Sequence, residues 1–196
     1  MRFLTIFDAV ATEILQRMDS CSEELQIEET RHASIDDVPP ALSRRHEILL
    51  LPPANVHVGA IRGLRASSIG SLVKVRGIVT RASDVKPLVE VITYTCESCG
   101  YEIYHDVSNK RDYLPLTKCT SRHCGINGMV GRLFAQSRGS KFVKYQELRL
   151  QELPVHVPVG HVPRSTSVHC RGELTRHCTP GDTVTICGIF LPQRLT

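Results

Sequence analysis

The chain has no tryptophan, and aromatic residues make up only 5% of its 196 residues. Reading nucleic-acid bases by stacking needs aromatic platforms, so a base-reading surface has little to work with here. No apolar run approaches the roughly 20 residues of a membrane-spanning helix. The opening MRFLTIFDAVATEILQ is apolar, but Asp8 and Glu13 interrupt it. It offers neither the unbroken apolar core nor the small-residue cleavage site of a secretory signal, and an intracellular protein without membrane contact is expected. No Gly-Lys dipeptide occurs, which rules out a G-x-x-x-x-G-K-[ST] phosphate loop in these residues. H-E-x-x-H and G-x-S-x-G are missing too. No spacing of histidines or carboxylates stands out as catalytic, and no repeat or low-complexity tract is present.

Cysteine, by contrast, is plentiful, with eight in the chain. A reducing compartment makes them poor evidence for disulfides. Four have paired spacing: Cys96 and Cys99, then Cys119 and Cys124, which is C-x2-C, nineteen residues, C-x4-C. Gly100 and Gly125 each follow the second cysteine of a pair. A tetrahedral ion needs two short loops that each present two thiolates, and a connection long enough to bring the loops face to face. This spacing therefore reads as a zinc ribbon. Four thiolates close the coordination shell and leave no place for an activated water, so a Zn2+ ion held by Cys96, Cys99, Cys119 and Cys124 is structural. Iron is the main rival metal. His105 and His123 are alternative ligands, although His123, next to Cys124, is expected to point away. A thiol–disulfide enzyme is a competing reading of Cys96-Glu97-Ser98-Cys99. Such motifs usually open a helix after a strand, whereas here β-type residues precede the pair and Gly100 follows it. Cys21, Cys170, Cys178 and Cys187 have no paired spacing and are expected as small buried side chains.

The net charge of +4 conceals a division. Residues 1–40 hold three basic and nine acidic residues, a net of −6, which leaves +10 for the rest. A basic body suggests a polyanion partner, most often nucleic acid; scattered solubilising charge is the plainer alternative. Basic residues lie on or beside the predicted strands at Lys74, Arg76, Arg81, Lys86, Arg132, Arg138, Lys141, Lys144 and Arg149. Lys74 and Arg76 share one side of a strand, because side chains alternate faces. Tyr94, Phe134, Phe142 and Tyr145 are expected in the core. A phosphate-dominated, sequence-tolerant binder fits this composition better than a base reader.

Along the chain, apolar residues at Phe3, Ile6, Phe7, Val10, Ile14, Leu15 and Met18 recur at helical spacing and predict a core-facing helix over 3–18. Residues 19–40 are acidic and end in Pro39-Pro40, which reads as a linker. A short element follows and stops at Pro52-Pro53. β-Branched residues then alternate with polar ones, predicting strands at 72–80, 88–95, 132–136, 141–153, 167–174 and 183–191, with a turn at Pro180-Gly181-Asp182. The fold class is mainly β with a small α part. Short strands with long connections fit a five-stranded OB-type barrel carrying an inserted metal knuckle, and a sandwich fits the periodicity nearly as well. Gly70 and Gly77 are expected at sharp bends.

Several stretches together resemble the N-terminal region of the minichromosome maintenance (MCM) replicative helicases. They are Ser71-Leu-Val-Lys-Val-Arg-Gly-Ile-Val-Thr-Arg-Ala-Ser-Asp-Val-Lys-Pro87, Tyr94-Thr-Cys-Glu-Ser-Cys-Gly100, Lys141-Phe-Val-Lys-Tyr-Gln-Glu-Leu-Arg-Leu-Gln-Glu152, Val157-Pro-Val-Gly-His-Val-Pro-Arg-Ser165 and Pro180-Gly-Asp182. The phrase at 75–81, with Gly188-Ile-Phe-Leu-Pro192, is most similar to the seventh subunit of the eukaryotic heterohexamer. The likeness covers nearly the whole chain and is weakest over 19–55.

The resemblance implies an N-terminal helical subdomain with the acidic linker (1–55), an OB-fold barrel (56–95 and 132–196) and an inserted zinc ribbon (96–131). It implies a nuclear protein that works with other MCM subunits in a heterohexameric ring around single- and double-stranded DNA. Arg81 and Lys86 match the family's basic pair after the first barrel strand and take its DNA-binding role. Lys74, Arg76, Arg132, Lys141 and Lys144 join them as looser candidates. The stretch 153–165 matches a loop that communicates with the motor. ATP belongs to the family's motor domain, for which these residues carry no phosphate loop, sensor or arginine finger, and the channel hairpin expected after Pro192 is not seen. The chain is thus expected to be a fragment with a shortened N-terminus, and helicase activity is not assigned to it. A zinc-ribbon adaptor for protein–protein interaction is the alternative reading.

Overall fold

The computed structural model describes residues 47–107, 113–126 and 131–192, together with positions 7, 10, 11, 13–15 and 42. Phe7, Val10, Ile14 and Leu15 are helical, as their spacing predicts, but all four are exposed, so the stripe expected to face the core lies open at these positions. The rest of the predicted helix, the acidic linker and Cys21 lie outside the described residues. No described helix is long and apolar enough to cross a membrane.

The described chain is mainly β. Its elements are β1 (Gly59–Ala60), β2 (Leu72–Ala82), β3 (Lys86–Cys96), β4 (Glu102–Asp106), the short helix α1 (Arg122–Ile126), β5 (Leu133–Gln151), β6 (Ser165–Arg171) and β7 (Thr183–Ile189). Two compact units divide the described residues: 7, 10, 11, 47–86 and 144–192 in the first, and 13–15, 42 and 87–143 in the second.

The first unit is organised by β2. Val75, Gly77 and Val79 are buried while Arg76 and Thr80 face solvent, the alternation of a strand with one covered face. β2 pairs antiparallel with β7 over 72–78 and with the end of β5 over 78–82. The register shifts between Val79 and Arg81, a bulge within the β2–β5 ladder. Such a bulge bends a strand and re-aims the side chains beyond it, which is how a sheet begins to curl towards a barrel. β6 extends the sheet on the far side of β5. The core holds Ile61, Val75, Val79, Leu148 and Leu150, with Val168, Val184 and Ile186 packed around them.

Gly70 has a left-handed φ of 82°, as a bend there requires. Gly77 has a different role. A Cβ on it would lie 2.6 Å from the Gln151 carbonyl oxygen and 2.8 Å from Leu150 Cγ, so glycine is what lets β5 cross β2 closely. The turn at 179–182 forms as expected, with the Asp182 carboxylate accepting the Thr179 N–H at 2.7 Å and its hydroxyl at 2.8 Å.

In the second unit β3 pairs antiparallel with β4 and lies beside the first part of β5. Its core is Ile92, Tyr94 and Val107, flanked by Val89, Ile103 and Leu133. Two predicted strands, 132–136 and 141–153, are one strand here. Ser137-Arg-Gly-Ser140 looks like a break in sequence, yet it continues the ladder through side chains. The Thr93 hydroxyl donates to the Gly139 carbonyl at 2.6 Å, and Ser140 Oγ accepts the Thr93 N–H at 3.0 Å. Phe134 and Phe142 are 49% and 45% exposed, so neither is core. Tyr94 is buried as expected.

Candidate metal centre and nucleic-acid interface

β3 delivers Cys96 to the end of the β3–β4 hairpin. There the Cys96 N–H bonds the Tyr101 carbonyl, and the Gly100 N–H returns to the Cys96 carbonyl, each at 3.0 Å. This tight knuckle presents Cys96 and Cys99 together. The second knuckle holds Cys119 just before α1 and Cys124 within it. Backbone bonds tie both knuckles to the strand that follows: Glu97 N–H to the Arg132 carbonyl at 3.0 Å, and Cys119 N–H to the Gly131 carbonyl at 3.1 Å.

All four sulfurs lie within 4.8 Å of one another, and among the described residues no histidine joins the set. Cys96 Sγ and Cys124 Sγ are 3.8 Å apart, as are Cys99 Sγ and Cys119 Sγ. A tetrahedron with metal–sulfur bonds of about 2.3 Å has edges of about 3.8 Å. These distances are far beyond the ~2.05 Å of a disulfide, and all four thiols are free. The donor set and its geometry therefore fit a closed tetrathiolate ion.

Polar groups prepare the site unevenly. The Ser121 hydroxyl, helped by the Tyr101 backbone, lowers the Cys99 thiol to about 6. The same hydroxyl draws Cys119 down. Burial pushes Cys124 up to about 12. Ser121 sits at the centre of this arrangement: Oγ lies 3.3 Å from Cys99 Sγ, its N–H donates to Cys119 Sγ, and the Cys124 N–H donates to Oγ at 3.4 Å.

Neither Ser121 nor Gly131 stands out from cysteine spacing alone. At Gly131 a Cβ would fall 2.4 Å from Cys96 Sγ and 3.0 Å from Cys124 Sγ. Glycine is what leaves room for the sulfurs to converge. The remaining described cysteines are half-buried; Cys170 and Cys178 pack on the first unit's core.

The basic residues fall in both units. In the first, Lys74 and Arg76 lie on one face of β2, half-buried and exposed respectively. Arg81 and Lys86 are exposed and flank the short β2–β3 connection. Lys144 is exposed and pairs with Glu173 at 3.6 Å. In the second unit Arg132 is exposed beside the metal knuckles, and its backbone forms an isolated antiparallel β-bridge with that of Lys118. Lys141 pairs with Glu90 at 3.4 Å.

Sequence reasoning gave Arg149 no specific role. It is exposed on β5 directly opposite Arg81. Its guanidinium donates from Nε and Nη2 to Ser165 Oγ at 3.2 and 2.9 Å. Tyr145, expected in the core, is half-buried on the same sheet, stacked on His169 with its hydroxyl bonded to His169 Nδ1.

A buried carboxylate anchors the stretch after β5. Glu152 accepts from Arg62 Nε and Nη2, both at 3.2 Å, and from the Arg164 N–H at 3.2 Å. The Arg62 hydrogen bonds hold its carboxyl below the usual range. Between these anchors Val155, Val159 and Val162 stand 90%, 102% and 82% exposed.

The family model for the MCM OB domain matches residues 60–194. The chain is 53% identical over 156 residues to the DNA replication licensing factor MCM7 of Oryza sativa subsp. indica, covering 80% of this chain and 21% of that protein. It is 42% identical over 208 aligned positions to MCM7 of Arabidopsis thaliana, covering 97% of this chain and 28% of the relative. For mcm7 of Schizosaccharomyces pombe the identity is 41% over 208 positions, covering 100% and 27%. The chain thus spans between about a fifth and just over a quarter of the length of these curated relatives.

Proposed function

Since this chain belongs to the minichromosome maintenance family, we propose that it is a single-stranded-DNA-binding and ring-assembly module of a replicative helicase. It acts in the nucleus, in replication initiation and fork unwinding, beside other MCM subunits in a heterohexameric ring that also encircles duplex DNA. Residues 56–95 and 132–196 act as the OB barrel, 96–131 as the zinc ribbon and 1–55 as the helical subdomain.

The observation that carries this reading is the pair Arg81 and Lys86. Both are exposed, five positions apart, at the connection between β2 and β3, and neither is engaged in an ion pair among the described residues. Two free cations on one short connection can follow a phosphate backbone without reading bases. Lys74 and Arg76 are further candidates in the same unit, and Arg132 is a separate one beside the metal knuckles. Lys141 and Lys144 would first have to leave Glu90 and Glu173. Several modules acting together in a ring raise the avidity of weak single sites.

Cys96, Cys99, Cys119 and Cys124 would hold zinc. The ion supplies no reaction chemistry in a closed tetrathiolate shell; it holds the knuckles in place of a core too small to fold alone.

The test is single-stranded DNA binding against salt. Each phosphate contact on a single strand contributes a slope of about 0.7 in log K against log salt. Arg81→Ala with Lys86→Ala should therefore weaken binding and flatten the slope by about 1.4. An unchanged slope refutes the assignment. The ion pairs already occupying Lys141 and Lys144 favour a second reading, a protein–protein adaptor. Tighter binding to an acidic peptide than to single-stranded DNA would select it.

A further inference from the structure

We infer that Ser165 is a regulatory phosphorylation site whose phosphate is clamped by Arg149 and Arg81. The inference rests on the DNA-binding reading above for its consequence, but not for its geometry.

Arg81 and Arg149 occupy directly opposed positions on β2 and β5, brought there by the bulge after Val79. Like charges in directly opposed ladder positions repel. Neither guanidinium has an ion pair among the described residues. Glu147, two positions before Arg149 on β5, is bonded through its backbone to Ser83 and has no ion pair with either arginine among the described residues. Arg149 instead spends two N–H groups on a single neutral oxygen, Ser165 Oγ. A guanidinium fork is shaped for two oxygens of one anion, not for one hydroxyl. Ser165 is exposed and opens β6, which pairs only with β5 among the described strands. The preceding residues, 162–164, have no regular structure and are exposed; although Arg164 is tied through its backbone to Glu152, the side of this segment that carries the hydroxyl faces solvent.

The modifying reaction needs a protein kinase and a nucleoside triphosphate. Ser165 Oγ forms a bond to the γ-phosphorus and the bond from that phosphorus to the β-phosphate oxygen breaks. The nucleoside diphosphate departs, and the hydroxyl proton passes to the kinase's base. The product carries about −1.5 to −2 charges and three acceptor oxygens at neutral pH. It turns the Arg149 hydrogen bonds into charge-assisted ones and relieves the repulsion with Arg81. Both cations are then engaged internally, and a negative group stands on the face proposed to follow DNA phosphates.

The full chain with phosphoserine inserted at position 165 tests this. The second phosphate ionisation, followed by 31P NMR, should lie below the ordinary value of about 6 and return to it with Arg149→Gln. Single-stranded DNA affinity should fall at least ~10-fold relative to the unmodified chain, with a shallower salt slope. An ordinary phosphate titration overturns the clamp. Equal DNA affinity of the two forms, when the unmodified chain binds, overturns the switch. A perturbed phosphate in a chain whose unmodified form binds no DNA supports the clamp and refutes the functional reading instead. Mass spectrometry of the endogenous protein through the division cycle should find the phosphate, and its absence at every stage overturns the regulatory role.

Discussion

Replacing Gly131 with alanine tests the metal centre more sharply than replacing a cysteine, because every ligand stays in place. The added Cβ would stand 2.4 Å from Cys96 Sγ. Non-bonded heavy atoms settle at about 3.5–4.0 Å, so one of the two must retreat by about 1 Å. Metal–ligand distances tolerate only about 0.2 Å. The buried Cys96, fixed at the end of β3 by its backbone bond to Tyr101, has little freedom to follow the ion. The variant should therefore lose the equivalent of one ligand in four. A structural zinc site contributes about 10–16 kcal/mol, so the loss is about 3 kcal/mol, or roughly two orders of magnitude in affinity. Competition with a chromophoric chelator measures it, and thermal unfolding monitored in the near-ultraviolet should shift in parallel. Gly63→Ala is the control, since a Cβ there meets nothing within 4 Å. Wild-type zinc affinity in Gly131→Ala would refute the geometry on which the tetrathiolate assignment rests.

Other outcomes follow from the same structure. Zinc affinity should climb as pH rises through the neutral range, because the ion must displace the proton that burial holds on Cys124; a flat profile in a metal-competition titration contradicts this. Arg62→Ala should cost about 3 kcal/mol in urea unfolding, since it leaves the buried Glu152 carboxylate without its partner. The Glu152 carboxyl titrates lower in the folded state than in the unfolded chain. Its contribution is therefore complete above the ordinary carboxylate range and disappears as pH falls through the folded value, so Glu152→Gln should flatten the acid limb of stability against pH. Phe134→Ser and Phe142→Ser should each change stability by no more than about 0.5 kcal/mol, whereas Leu150→Ala in the core should cost about 2–5 kcal/mol; equal losses in the two classes would overturn the burial assignment.

The metal centre was legible because chemistry fixes it locally: thiolates in two short loops can be counted in a line of sequence. What makes them converge was not. Gly131 is required by atoms thirty-five positions away at Cys96, and nothing in its own neighbourhood announces that. The strand alternation in β2 and β3 was equally plain, since one covered face writes itself into every second residue. β5 misled because Gly139-Ser140 has turn composition, while the partner that keeps it extended, Thr93, comes from a distant strand. Phe134 and Phe142 look like core by residue type, yet both sit on an exposed stretch of β5. β4 went unread between the cysteine pairs. Arg149 was one cation among nine until the bulge in β2 set it opposite Arg81.

The four metal ligands all lie between residues 96 and 124, whereas β2 pairs with the end of β5 and with β7, which come later in the chain. A chain emerging from the ribosome can thus close its metal knuckles while β2 still waits for β5 and β7, and vectorial synthesis favours the segment whose contacts are local. On stalled nascent chains the four thiols should resist alkylation in the presence of zinc before the β2 amides gain exchange protection. The reverse order would mean that β2 does not depend on its late partners. Supply of the metal during translation then governs whether the flanking strands meet across an ordered insert or across a loose loop.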